Sequence, residues 1–573
     1  MERVVRFRLL LLLVLVPALA LVSCAGALPG PLPAPGSPWA GSPLVATRFG
    51  VVQGLQDSDG TWVWKAIPFA RPPLGELRWR APQDPLPWDG VRRCTRFADK
   101  CTQYSEVVPG QIGGTEDCLY LNVWRPRSTE TGLPVYVWIH GGGNSVGSAS
   151  TIPEYHGNRI AARSRVVFVS LDYRLGPFGW FTLPAFRDGA SAEDASGNFG
   201  TLDLVQGLKW IRENIAAFGG DPDRVTVTGE SAGGIDVLSL LISPPAHGLF
   251  QAAMSQSGAA LTRSMGEGDA SAQEVLERLL VKDGKARTRG EAAGAAAAMS
   301  PAAVRAYLRS KSGREILSMY RVFGLGMIEF PAIFRDGAVI LSSGYDALST
   351  GEYPNKVPII LGSNADELKL FLRFTTRIPW QSDLYQAVSR YGSARWTVSA
   401  VDEVARRLAS HPDQPPVYAY SFRWGTLDAQ GRSVLPNEWG RELGAFHGLD
   451  ISFFLGHDSV AMIFQAFLFS WQNQPGRKAL SSAMMRYLAS FARTGNPNPA
   501  GGGLPTWEPW SPAPGGPRRI LFDVRGHQPV LEMESTELTD EQVMAAAGSE
   551  LTEPLRSRTL EFLRTSPLPS GVR

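Results

Sequence analysis

Five apolar, β-branched runs recur along this chain: LPVYVWIH (133–140), RVVFVSLDYR (165–174), RVTVTG (224–229), KVPIILGSN (356–364) and PVYAYSFRW (416–424). Runs of this length and character suit strands covered on both faces. Helical spacing appears between them, most clearly in TLDLVQGLKWIRENIAAF (201–218), where Leu202, Val205, Leu208 and Ile211 line one face and GGDP follows as a stop. Strands alternating with helices predict an α/β fold on a large central, mostly parallel sheet flanked by helices. Ahead of that pattern, TRFGVVQGLQ and VWKAIPFA predict a small N-terminal antiparallel meander. The alanine-rich stretch 291–308 reads as surface helix.

The chain of 573 residues, 44% hydrophobic and 19% charged, has ample material for a large core. Its 56 Lys+Arg against 54 Asp+Glu leave a net charge of +2, which gives no electrostatic case for a nucleic-acid partner.

The N-terminus reads as an export signal over residues 1–24. Arginines at 3, 6 and 8 precede the apolar run LLLLLVLVPALALV, and LVSC closes it. LVSC is similar to a bacterial lipobox, which would make Cys24 a lipid-attachment site and membrane tether; the nearby SCAGA offers ordinary signal cleavage instead. Residues 25–44 are rich in Pro, Gly and Ala, as expected of an extended tether. The sequence contains no Asn-X-Ser/Thr acceptor, which leans towards a bacterial source. Cys94, Cys101 and Cys118 remain, so one pair is expected to oxidise in an exported protein and one thiol to stay free.

TGESAGG (228–234) places Ser231 between a strand and the helix-forming AGGIDVLSLLIS. On a tight strand-to-helix turn the hydroxyl stands clear of the sheet at a helix N-terminus, whose partial positive charge favours a developing alkoxide. A serine hydroxyl is a weak nucleophile and needs a base, which in turn needs an orienting carboxylate. On such a sheet the partners follow in the order serine, acid, histidine. Asp366 and Glu367 stand just past the strand KVPIILGSN. His411, His447, His457 and His527 come after them, and His447, in GAFHGLD, has small neighbours that let a ring approach another loop. Gly141, Gly142 and Gly143 follow the strand YVWIH, where missing side chains let backbone N–H groups converge on an oxyanion.

FGGDPDRVTVTGESAGG (218–234) and EDCLYLNVWRP (116–126) are similar to the two signatures of the type-B carboxylesterase/cholinesterase family of α/β-hydrolases, and the likeness runs from about residue 45 to about residue 525. The resemblance implies one α/β-hydrolase catalytic domain over 45–565. It implies Ser231 as nucleophile, Glu367 as the acid in preference to Asp366, His447 as general base, and the N–H groups of Gly142, Gly143 and Ala232 as oxyanion donors. It also implies a Cys101–Cys118 disulfide with Cys94 free, and structural ion pairs Arg78–Glu116 and Arg174–Asp203. Two positions depart from the family: Asn144 stands where an aromatic residue is frequent, and Asp236 stands where a small or hydroxyl residue is usual. A carboxylate buried there needs a partner.

These features lead to the expectation of an exported serine carboxylesterase that acts on a small-molecule ester through an acyl-enzyme, without metal or organic cofactor. Tryptophans (16) and phenylalanines (26) suit an aromatic-lined gorge. The rival readings are a non-catalytic adhesion relative that has lost the triad, and an amidase using the same one. Natural substrate and oligomeric state are not encoded in any recognisable pattern.

Overall fold

The apolar runs become strands whose alternate side chains pack on opposite faces of one sheet. The computed structural model describes residues 32–34, 36–460 and 468–565; the leader with Cys24, and residues 25–31 and 35 of the predicted tether, lie outside them. The sheet comprises β1 (Leu55–Asp57), β2 (Thr61–Pro68), β3 (Tyr120–Pro126), β4 (Leu133–Ile139), β5 (Val167–Leu171), β6 (Gly220–Glu230), β7 (Ala252–Gln256), β8 (Ile359–Asn364), β9 (Val417–Phe422), β10 (Arg519–Arg525) and β11 (Gln528–Glu534). Their spatial order is β11-β10-β9-β8-β7-β6-β4-β5-β3-β2-β1. The strands from β10 to β5 in that order are parallel, and antiparallel strands close both edges.

Six helices matter for the site: α1 (Phe199–Asn214), α2 (Ala232–Leu241), α3 (Glu367–Thr375), α4 (Asp383–Thr397), α5 (Leu449–Phe454) and α6 (Gln474–Thr494). On one face of the sheet Val135, Val137, Val167 and Val169 pack with Leu204, Val205, Leu208 and Ile211 of α1. On the other, Tyr136, Trp138 and Phe168 share a cluster with Leu480, Met484, Leu488 and Phe491 of α6. Strands buried on both sides follow from this two-sided cover, as their sequence predicts. Helix α1 differs from its expected single apolar face: apart from Lys209, Arg212 and Glu213 it is buried all round. Part of the reason is Asp203, fully enclosed and held by two side-chain hydrogen bonds from Arg174 at 2.8 and 2.7 Å and one from its N–H at 3.0 Å.

The N-terminal strands divide between two sheets. Leu44–Thr47 and Gly50–Gln53 pair antiparallel and join Val91–Arg93 in a separate three-stranded sheet, whereas β1 and β2 form an edge of the large one. Trp39, within the segment read as tether, is buried and donates to the Ser128 carbonyl at 2.8 Å. The alanine-rich region forms two helices, Arg289–Ala297 and Pro301–Arg309, with Ser300 capping the second. The sulfurs of Cys101 and Cys118 are bonded, and Cys94 is a free thiol that burial pushes up to about 12. Among the described residues no helix is long and apolar enough to cross a membrane.

Candidate active site

Strand β6 ends at Glu230, α2 begins at Ala232, and Ser231 alone makes the turn between them with φ 59° and ψ −121°. Such a backbone is strained for a residue with a Cβ and persists only where its surroundings fix it. Here the Ser231 N–H donates to the Gln256 carbonyl at 2.8 Å. Close approach does the rest, because a Cβ on Gly233 would fall 2.2 Å from the Ile139 carbonyl oxygen. Only glycine lets α2 start directly against the end of β4.

The glycine triplet leaves the carboxyl end of β4 and folds onto this turn: a Cβ on Gly141 would lie 2.7 Å from the Glu230 carbonyl oxygen and 3.0 Å from Ser231 Cβ. Gly142 takes φ 108°, which a side chain would oppose, and its carbonyl accepts from Ser145 and Val146 N–H at 3.1 and 3.0 Å. Among the described residues the N–H groups of Gly142 and Gly143 donate to nothing. The N–H of Ala232, first in α2, has no intrahelical acceptor.

Glu367 opens α3 just beyond β8 and is fully buried. Its Oε2 accepts from His447 Nδ1 at 2.5 Å, and its Oε1 accepts from Ser257 Oγ at 2.6 Å and Asn364 N–H at 2.7 Å. The neighbouring Asp366 turns elsewhere, to Thr426 Oγ1 at 2.7 Å, Ala445 N–H at 3.0 Å and Lys369 Nζ at 2.9 Å, and so pins the segment that leads into His447. The His447 ring is buried, its centroid 5.1 Å from that of Phe371 on α3 and 4.8 Å from that of Trp396 on α4. His447 Nε2 lies 3.1 Å from Glu230 Oε1, out of hydrogen-bonding alignment, and the Ser231 hydroxyl forms no hydrogen bond among the described residues. Hydrogen bonds of this kind often tighten only once substrate is bound. The other late histidines lie apart from this cluster: His411 meets the Ser349 carbonyl, His457 is buried against the His156 carbonyl, and His527 is exposed.

Charge is concentrated around this imidazole. Burial works against protonation of His447, but the carboxylates of Glu230 and Glu367 outweigh it and raise its pKa above the ordinary imidazole value. Burial likewise raises Glu230, against the pull of His447. Asp450, on α5, is raised by burial while accepting from Tyr420 Oη at 2.6 Å, Gln256 Nε2 at 3.0 Å and Asn364 Nδ2 at 3.1 Å. Sequence reasoning did not single out Glu230, Ser257, Asp450, Phe371 or Trp396. Their available signal was position: Glu230 and Ser257 sit at or just past carboxyl ends of parallel strands, where open α/β sheets assemble their sites.

A mostly parallel sheet with a serine on a strained turn after β6, a glycine loop after β4 and a carboxylate after β8 defines an α/β-hydrolase. The profile described as Carboxylesterase family matches residues 41–409 and 379–525. The chain is 31% identical over 483 residues to para-nitrobenzyl esterase of Bacillus subtilis, covering 79% of this chain and 90% of the relative. It is 32% identical over 518 residues to mouse (Mus musculus) pyrethroid hydrolase Ces2a, covering 81% and 86%. Among solved structures it is similar to carboxylesterase EST55 of Geobacillus stearothermophilus, with TM-score 0.65, 31% identity and coverage of 86% of this chain and 97% of that one. The chain belongs to the carboxylesterase family. It is a carboxylic ester hydrolase.

Proposed function

We propose that this esterase works through Ser231 as nucleophile, His447 as general base and Glu367 as the carboxylate that orients and stabilises the imidazole. Ser231 Oγ attacks the ester carbonyl carbon while its proton passes to His447 Nε2. The carbonyl oxygen becomes an oxyanion that takes hydrogen bonds from Gly142, Gly143 and Ala232 N–H. The C–O bond to the alcohol then breaks, and His447 returns the proton to the departing oxygen, leaving an acyl-enzyme. Water, deprotonated by the same imidazole, attacks that ester, and collapse of the second tetrahedral intermediate frees the acid and restores Ser231.

The observation that carries this reading is the Glu367–His447 Nδ1 hydrogen bond of 2.5 Å, with the other ring nitrogen turned to Glu230, the residue next to Ser231. The test is Ser231→Ala with p-nitrophenyl butyrate. Turnover falls by about 10^6-fold and the acyl-enzyme burst disappears. Wild-type rates in that variant reject the assignment. A matched pair of ester and amide substrates separates esterase from amidase action.

The substrate in this reading is a small-molecule ester, and residues 45–565 act as one catalytic domain. The sequence at residues 1–24 supports export, with Cys24 carrying lipid at the cell envelope. Mass measurement of the mature N-terminus tests the attachment: a form that starts at Ala25 or beyond, without added lipid, rejects it.

A further inference from the structure

Asn144 and Asp236, the two residues that depart from the family pattern, touch one another. Asn144 ends the glycine loop and Asp236 lies in the second turn of α2; their exposures are 5% and 0%. Asn144 Nδ2 donates to Asp236 Oδ1 at 3.0 Å. The Tyr173 hydroxyl lies 3.1 Å from Asn144 Oδ1 and 2.8 Å from the His140 carbonyl oxygen, so it meets the residues flanking both ends of the Gly141–Gly143 loop. Asn144 holds a left-handed backbone, φ 54°, and its carbonyl accepts from Gly176 N–H at 2.6 Å. Asparagine enters this region more readily than other residues with a Cβ, and outside support holds it in this one turn.

Asp236 supplies it at a cost. Burial raises its carboxyl to about 7, while Asn144 and Tyr173 favour the charged form, and among the described residues its Oδ2 has no hydrogen-bond partner. A carboxyl enclosed in this way is costly unless it is paired, and its pairing here is with the Asn144 amide. Both polar groups that favour its charged form contact the glycine loop or its flanks.

The geometry points to Asp236 as a positioning residue for the oxyanion loop: by holding the Asn144 amide it fixes the left-handed turn after Gly143 and keeps the Gly142 and Gly143 N–H groups at a set distance from the helix that carries Ser231. This role rests on the assignment of those N–H groups as oxyanion donors and adds a residue that touches neither substrate nor triad. Since α2 carries both Asp236 and Ala232, one rigid element sets the spacing of all the proposed donors.

The test compares Asp236→Ala, Asp236→Asn, Asn144→Gly and the exchange Asn144→Asp/Asp236→Asn in the full chain. It reads p-nitrophenyl butyrate hydrolysis, melting temperature and the inhibition constant of a trifluoromethyl ketone, which forms a tetrahedral adduct that needs the same donors. Asp236→Ala and Asn144→Gly lower kcat by about 10- to 100-fold, less than full loss of both donors, and weaken the ketone in parallel. KM stays within about threefold, because the contact acts on the transition state. Asp236→Asn keeps an acceptor for Asn144, and the exchange reverses donor and acceptor, so both restore kcat to within about threefold of wild type.

Wild-type kcat and ketone affinity in Asp236→Ala, with only the melting temperature lowered, overturn the role. If Asp236→Ala does not fold, Asn144→Gly decides alone, since glycine accepts the turn and wild-type values there overturn it equally. Turnover surviving in Ser231→Ala removes the reading beneath this inference. Turnover lost in Ser231→Ala but intact in Asp236→Ala and Asn144→Gly removes only the role of Asp236.

Discussion

Glu367 binds His447 through one carboxylate oxygen, at 2.5 Å from Nδ1, while Ser257 and the Asn364 N–H occupy the other. The carboxylate therefore has one orientation, and in the neutral imidazole Nδ1 carries the proton and Nε2 is the acceptor. Glu367→Gln keeps the shape and removes the charge that stabilises the imidazolium. The expected result is a fall in kcat of about 10^4-fold with KM little changed, measured by steady-state ester hydrolysis.

With His447 as the proposed base, Glu230 is expected to influence the acid limb of the pH profile. Its carboxylate, 3.1 Å from His447 Nε2, favours the imidazolium. Removing that negative charge lowers the imidazole pKa, so the base stays unprotonated to lower pH. In Glu230→Gln the acid limb of kcat/KM moves down by about one pH unit. A limb that stays in place or moves up contradicts the assignment.

Arg174 and Asp203 join the end of β5 to α1 in a buried bidentate pair, with side-chain exposures of 2% and 0%. Arg174→Ala leaves a carboxylate enclosed without its cation, which costs about 3–5 kcal/mol. Urea unfolding reads this as a lower midpoint at constant slope.

The Cys101–Cys118 bond spans 17 residues. In the chain-entropy account, closing a loop of that length stabilises by about 3 kcal/mol. Cys101→Ser/Cys118→Ser is therefore expected to lose about that much in denaturant unfolding. In wild type a reductant brings the same loss.

The tight turn at Ser231 was legible because its cause is local: strand, small residues and helix are consecutive in TGESAGG. The carboxylate that meets His447 was legible from the residues only as the pair Asp366 and Glu367. One step at a helix start rotates a side chain by about 100°, and which of the two faces the imidazole depends on where the loop at 444–446 lies. The partner of Asp236 was not legible at all, since Asn144 is 92 residues away and nothing in the local pattern joins them. Alternating hydrophobicity announced the early strands, but pairing partners come from tertiary packing, so the split of the N-terminal strands between two sheets was hidden. The Arg174–Asp203 pair was implied by the family resemblance and is present, but the near-complete burial of α1 escaped because helical spacing reports only one face while cover on the others comes from tertiary packing.

Helix α3 grips His447 twice, with Glu367 at its first residue and Phe371 one turn later against the imidazole ring. Adaptation towards bulkier esters is steered by that double hold. Exchanges elsewhere around the site are tolerated where they leave it alone, whereas any that slide this helix along its axis slow every substrate together.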